Sequence, residues 1–125
     1  MPIVGIGTDV VDIDRFRATL ARTPTLRDRL FTDDERAYAD RQADPTERLA
    51  VRFAAKEATM KALGVGIGAM AMADIEVVHH NDGHAELVLH GAAGDLATGK
   101  GVERWHLSLT HSDTVAQAMV VAETP

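Results

Sequence analysis

The sequence predicts an α+β fold, with helices gathered in the first half and antiparallel strands in the second. Three observations predict it. The N-terminus alternates like a strand, the middle carries a long capped helical run, and Asn81-Asp82-Gly83 and Ser112-Asp113 read as two hairpin turns.

Ile3 to Val11 reads as a strand, with Val4, Ile6, Thr8 and Val10 on one side and Ile3, Gly5, Gly7, Asp9 and Val11 on the other. Glycines on the side of Asp9 predict that something approaches the backbone closely there. From Ile13 the period changes to helical, with Ile13, Phe16 and Leu20 in phase, Asp12 as N-cap, and Thr23-Pro24 as the break. Thr32 and Glu35 have capping-box spacing and open a short helix through about Gln42. Asp44 as N-cap, Pro45 in the first helical position and Glu47 three residues after the cap open the longest helix. It runs to Gly64, and Ala50, Ala54, Ala55, Ala58 and Ala62 both favour helix and permit close packing. A permissive loop, Gly64-Val65-Gly66-Ile67-Gly68, follows. Strands are predicted at Ile75–His79, Ala85–Leu89, Arg104–His111 and Thr114–Ala122, with a short helix at Ala92–Thr98.

The chain of 125 residues fits one domain, 1–125, and at that length folding buries roughly two-thirds of the surface exposed by the unfolded chain. No apolar run approaches the roughly twenty residues that span a bilayer. No basic stretch followed by an apolar one marks a leader, so neither a membrane role nor export is expected. Cysteine is absent, which removes disulfides, thiolate metal sites and cysteine nucleophiles together and agrees with a cytoplasmic setting. The net charge of −6 argues against nucleic-acid binding. Charge is uneven, however. Between Asp14 and Arg29 stand Arg15, Arg17, Arg22, Arg27 and Arg29 against only Asp14 and Asp28. That window is either a solvated helix face or a surface that steers an acidic partner.

Glu57 falls inside the apolar stripe defined by Leu49, Phe53 and Met60, where an unpaired carboxylate is costly. Lys61 follows at i+4. The two form either a stabilising helix pair or a metal-binding carboxylate beside a phosphate-binding ammonium. Asp9 either caps the turn after its strand or supplies a second carboxylate to a hard cation. Mg²⁺ takes one or two protein carboxylates and completes its octahedron with water and phosphate oxygens, so this set suits a diphosphate ligand. Gly5-Ile6-Gly7 lacks the rest of a dinucleotide fingerprint. His111 stands in phase with Trp105, Leu107 and Leu109 at a strand end, and adjacency to Ser112 defines no catalytic triad. His79, His80, His84 and His90 resemble a metal cluster by count. Alternation sends His79 and His80 to opposite faces, so all four are assigned to the surface and no zinc site is expected.

Gly5-Ile-Gly-Thr-Asp-Val-Val-Asp-Ile13 with Arg15-Phe16 resembles the opening motif of holo-acyl-carrier-protein synthases, the small type of 4′-phosphopantetheinyl transferase. Arg52-Phe-Ala-Ala-Lys-Glu-Ala58, followed by Lys61-Ala-Leu-Gly64, is similar to their central helix. Asp74-Ile-Glu-Val77, Ser108-Leu-Thr-His111 and Ala116–Glu123 complete the order more weakly. Departures fall at Val65, where threonine is common, at Met72-Ala73, where an aromatic often stands, and at His84, commonly proline.

The resemblance implies a homotrimer of α+β subunits, with N-terminal strand and helices packed on antiparallel strands and active sites between subunits. It implies transfer of the phosphopantetheine of coenzyme A to a serine of apo-acyl carrier protein, activating the carrier for fatty acid synthesis and releasing adenosine 3′,5′-bisphosphate. Asp9 and Glu57 would hold Mg²⁺ and Lys61 would contact phosphate. Arg52, His111 and the loop at Gly64, Gly66 and Gly68 would bind the 3′-phosphoadenosine part. Arg15 with its neighbours Arg17 and Arg22 would dock the carrier's acidic helix.

The chemistry agrees with the residues. The nucleophile belongs to the partner, and phosphoryl transfer rests on in-line placement and charge stabilisation. The base is Glu57 or a water. Two other functions use the same features: a metal-dependent hydrolase of nucleotide diphosphates, and a non-catalytic trimeric module that binds carrier protein through the arginine face.

Overall fold

The structure, a computed structural model, describes residues 2–125. Strand β1 (Ile3–Asp12) leads into α1 (Ile13–Arg22), α2 (Thr25–Leu30), α3 (Asp33–Ala39) and the long α4 (Thr46–Leu63). A 3₁₀ turn at Met72–Asp74 precedes the hairpin of β2 (Ile75–His79) and β3 (Ala85–Leu89), and α5 (Gly91–Gly99) precedes the hairpin of β4 (Arg104–His111) and β5 (Val115–Glu123). β5 is the middle strand of an antiparallel sheet ordered β1-β5-β4, and β2 and β3 form a separate pair.

The expected α+β arrangement is therefore present, and several local signals act as read. Asp12 caps α1 by accepting from the Arg15 N–H at 2.8 Å. Thr32 and Glu35 make both bonds of the capping box. Gly64 ends α4 at φ 72°, the left-handed cap that glycine adopts without a Cβ penalty.

Other signals shift. Asp44 does not cap α4 from the N-cap position. Its Oδ1 accepts from the Thr46 N–H at 3.0 Å, the helix begins one residue later, and Pro45 occupies the cap. Glu47 is thereby released from the predicted box and faces His111 at 3.2 Å. The helix expected to reach Gln42 stops at Ala39, and α2 is a further short helix between Pro24 and Phe31.

Small residues set how closely α4 lies on the sheet. Its Ala50, Ala54, Ala55, Ala58 and Ala62 are buried, and so are Ala116, Ala118, Val120 and Ala122 on the inward face of β5. On β1 the contact is closer still: a Cβ on Gly5 would stand 1.8 Å from the carbonyl oxygen of Ala62. The close approach that the glycines predict is thus made by the backbone of α4. The inward face of β1 is that of Gly5, Gly7, Asp9 and Val11. Ile6 and Val10 lie on the other face, 57% and 59% exposed, beside Met119 on β5 at 48%.

A buried ion pair ties the helical layer to β2. Lys56 Nζ donates to Glu35 Oε1 at 2.7 Å, and both side chains are fully buried. The ammonium also donates to the carbonyls of Met72 and Ile75, while Glu35 accepts from the backbone N–H groups of Thr32 and Val77. Burying two charges is tolerable here because nearly every donor and lone pair is used. Among the described residues no helix is long and apolar enough to cross a membrane.

Candidate active site

Asp9 reaches the site because β1 alternates. Gly7 and Gly5 rest on successive turns of α4, at Ala58 and Ala62, and the next inward residue of the strand is Asp9. On the helix the residues flanking this contact are Glu57 and Lys61. Lys61 Nζ stands 3.1 Å from Asp9 Oδ1 and donates to the Thr8 carbonyl at 3.0 Å. The expected i,i+4 partnership of Glu57 with Lys61 gives way to this cross-element pair, because the strand offers the ammonium two acceptors together.

Glu57 is half-buried, and its proton affinity is raised. Burial is the main cause, the charge of Asp9 adds to it, and Lys61 opposes it. Two carboxylates are therefore close enough to repel, with one cation engaged by only one of them. Asp9 and Glu57 line the same cleft of about 450 Å³, together with Arg15 and an apolar wall that includes Phe16, Phe53 and Met72. Phe53 stacks on Phe16 at 5.1 Å between centroids, which stiffens the wall beside Glu57. At the helix end, Gly64, Gly66 and Gly68 have open space where a side chain would stand, and φ is 97° at Gly68.

The remaining predicted residues lie elsewhere. Arg52 is only 2% exposed and, with His111 and Arg17, lines a second cavity of about 530 Å³ that shares no residue with the first. Its Nη1 donates to the Arg48 carbonyl at 2.9 Å, its Nη2 meets His79 Nδ1, and its Nε is buried without a partner. Arg22 is exposed, and Arg17 is bound to Asp14 and Asp44. Of the five arginines in the basic window, Arg17 and Arg27 are paired, and Arg15, Arg22 and Arg29 are left without an ion pair among the described residues.

The second cavity also holds Tyr38 and Arg48, which no motif of the sequence marks, and His79, which the sequence assigns to the surface. Arg48 and Arg52 are four residues apart on α4, and both guanidinium groups sit over the Tyr38 ring, at 4.3 and 4.4 Å. The i,i+4 arginine spacing was the available signal. His79 corrects the assignment of that histidine to the surface: its ring stacks on Tyr38 at 4.4 Å. Burial, with Arg52 and Arg48 beside it, holds its pKa down at about 4.

The family model of the 4′-phosphopantetheinyl transferase superfamily matches residues 5–118. The chain is 52% identical over 124 residues to a holo-[acyl-carrier-protein] synthase of Frankia casuarinae, covering 99% of this chain and 100% of that one. It is 50% identical to the enzyme of the same name from Micrococcus luteus, covering 97% and 92%. Among solved structures, the holo-[acyl-carrier-protein] synthase of Neisseria meningitidis superposes with a TM-score of 0.89 at 34% identity, covering 98% and 100%. One from Bacillus anthracis, in complex with CoA (3′,5′-ADP), gives 0.81 at 36% identity, covering 98% of each chain. The fold and these matches define a 4′-phosphopantetheinyl transferase, and within that superfamily the chain belongs to the holo-[acyl-carrier-protein] synthase family.

Proposed function

We propose that this chain moves the 4′-phosphopantetheine group of coenzyme A onto a serine hydroxyl of apo-acyl carrier protein, with Mg²⁺ as cofactor, in the cytoplasm, as a homotrimer of single domains spanning residues 1–125. The observation that carries the reading is the convergence of Asp9 and Glu57 on one cleft, with Lys61 at its edge.

The donor set fits a hard divalent ion. It consists of carboxylate oxygens alone, and the proton affinity of Glu57, raised mainly by burial and further by the charge of Asp9, marks a carboxylate that a cation would stabilise. Mg²⁺ bound there supplies charge neutralisation at the diphosphate. The protein's own groups supply the rest. Asp9 and Glu57 would hold the cation. Lys61, half-exposed, turns its ammonium to a phosphate oxygen and stabilises the charge that develops during transfer. The open backbone at Gly64, Gly66 and Gly68 admits the nucleotide closely. Arg52 and His111 bind the 3′-phosphoadenosine part, and the orphaned Nε of Arg52 is a buried donor suited to an anion.

Within one chain the carboxylate cleft and the Arg52/His111 cavity are separate. In a trimer, the cavity of one copy set against the cleft of the next gives a complete site between subunits. The outward face of the sheet, with Ile6, Val10 and Met119 exposed, is the surface we assign to this assembly. Arg15, Arg17 and Arg22 form the face that docks the acidic carrier, and Arg15, unpaired and at the rim of the cleft, contributes most.

The test is a mass measurement. The protein incubated with apo-carrier, coenzyme A and Mg²⁺ adds one phosphopantetheine to the carrier. No added mass with any divalent ion rejects the transferase, and coenzyme A cleaved without carrier assigns a hydrolase instead. Light scattering at micromolar protein checks the trimer, and a monomer refutes it.

A further inference from the structure

The β2–β3 hairpin carries a cluster that the transferase reading does not use. Its turn closes through two backbone bonds, His80 N–H to the His84 carbonyl and Gly83 N–H to the His80 carbonyl, each 2.9 Å. Gly83 takes φ 92°, a left-handed conformation that few residues other than glycine adopt. This geometry stacks the imidazoles of His80 and His84 with 4.4 Å between ring centroids and 22° between planes. Glu86, the next-but-one residue along the returning strand, brings its Oε1 to 2.9 Å from His80 Nε2. Alternation does separate His79 from His80, as the sequence predicts. It does not separate His80 from His84, which meet across the turn.

We infer that this hairpin tip is a binding site for a divalent transition ion of the Zn²⁺ class, held by His80, His84 and Glu86. One ligand atom from each residue lies within 4.8 Å of those of the other two. Small side-chain rotations close that span onto an ion with nitrogen and oxygen ligands at about 2.0–2.2 Å. Two imidazoles and a carboxylate suit Zn²⁺, Cu²⁺ or Ni²⁺, whereas Mg²⁺ selects oxygens and stays with the carboxylate cleft. The site also has outer support. Asp82 accepts from the backbone N–H of His84 at 3.1 Å and contacts its Nδ1, the carboxylate–histidine arrangement that orients a metal-binding ring and leaves Nε2 as the free nitrogen. All three ligands are exposed, so the ion enters from solvent and completes its shell with water.

Calorimetric titration of metal-free protein with ZnCl₂, under excess MgCl₂, tests the proposal. One Zn²⁺ per chain is expected, weakened at least about 30-fold by His84→Ala and about tenfold by Asp82→Asn, since outer-sphere partners are worth roughly 10–100-fold. His90→Ala, on a different Glu76-paired histidine, leaves the affinity unchanged. Zn²⁺ raises the melting temperature of the wild type and not of His84→Ala, as binding to the folded state alone requires. No binding below about 100 μM, equivalent to roughly 5 kcal/mol, overturns the proposal. Binding undiminished in both His84→Ala and Glu86→Gln, or lost equally in His90→Ala, overturns it as well.

Discussion

Gly7 and Ala58 meet backbone to backbone: a Cβ added at Gly7 would lie 1.7 Å from the Ala58 carbonyl oxygen. No rotamer relieves that clash, because both partners are main chain. Gly7→Ala must push β1 away from α4, and with it Asp9 away from Glu57. The expected loss of stability is about 3 kcal/mol, the upper range for overpacking. Urea unfolding measures it. Transferase activity falls further than the folded fraction does, because the two carboxylates separate.

Glu57→Gln separates function from stability. Its folded pKa is raised, so the carboxylate favours the fold when protonated and loses that favour as pH rises through the folded value. At pH 7 the neutral amide therefore melts higher than the wild type, and below about pH 4.5, the ordinary glutamate value, the difference vanishes. Metal-dependent turnover drops by about 100-fold or more, as for a group that stabilises the transition state. A variant that melts lower at pH 7 contradicts the electrostatic account; near-normal turnover removes Glu57 from the site.

Arg15 and Arg17 give different answers to the same substitution. Arg17 is already bound to Asp14 and Asp44, and Arg15 has no such partner. Arg15→Glu is expected to weaken carrier binding about tenfold and to slow association; Arg17→Glu has a smaller effect on binding and a larger one on the α1–Asp44 contact. Surface plasmon resonance at two salt concentrations reads both, and the wild-type affinity falls at higher salt. Equal effects of the two substitutions count against Arg15 as the principal contact.

His79 makes stability pH-dependent in the opposite direction to Glu57. Its pKa falls from 6.5 to about 4 on folding, because of burial and the neighbouring Arg52 and Arg48. The unfolded chain binds the extra proton between these values, so the contribution is complete above about pH 6.5 and is lost as pH falls toward about 4. Melting temperature declines across that window in the wild type. His79→Gln flattens the decline, and an unchanged slope rejects the assignment.

Much of the architecture is legible in the sequence because local chemistry and tertiary packing agree. Thr32 and Glu35 box one helix, Gly64 ends another, and Asn81-Asp82-Gly83 turns the hairpin. Asp9, Glu57 and Lys61 were identifiable for a different reason. Asp9 and Glu57 are acids on faces otherwise made of glycine or apolar residues, a placement that requires a partner, and Lys61 is marked by its i+4 spacing from Glu57. What stayed hidden depends on distance in the chain. Nothing local tells Lys61 to prefer Asp9, 52 residues away, over Glu57. Nothing local tells Lys56 that Glu35 lies beneath it, nor His79 that Tyr38 and Arg52 enclose it. Asp44 misled through a near tie: an aspartate before a proline satisfies the same N–H from either side of the helix start.

Strand β1 works on both of its surfaces, one residue out of phase. Thr8, paired with Met119, points outward between Ile6 and Val10; Asp9, paired with Ala118, points inward to the lysine. The pleat leaves no slack between the two roles. A change on the outer side that slid the ribbon by a single position would turn the acid outward and a hydrophobe toward Lys61. In the proposed trimer, association and turnover are geared to one pitch, and a fault in either is expected to register in the other.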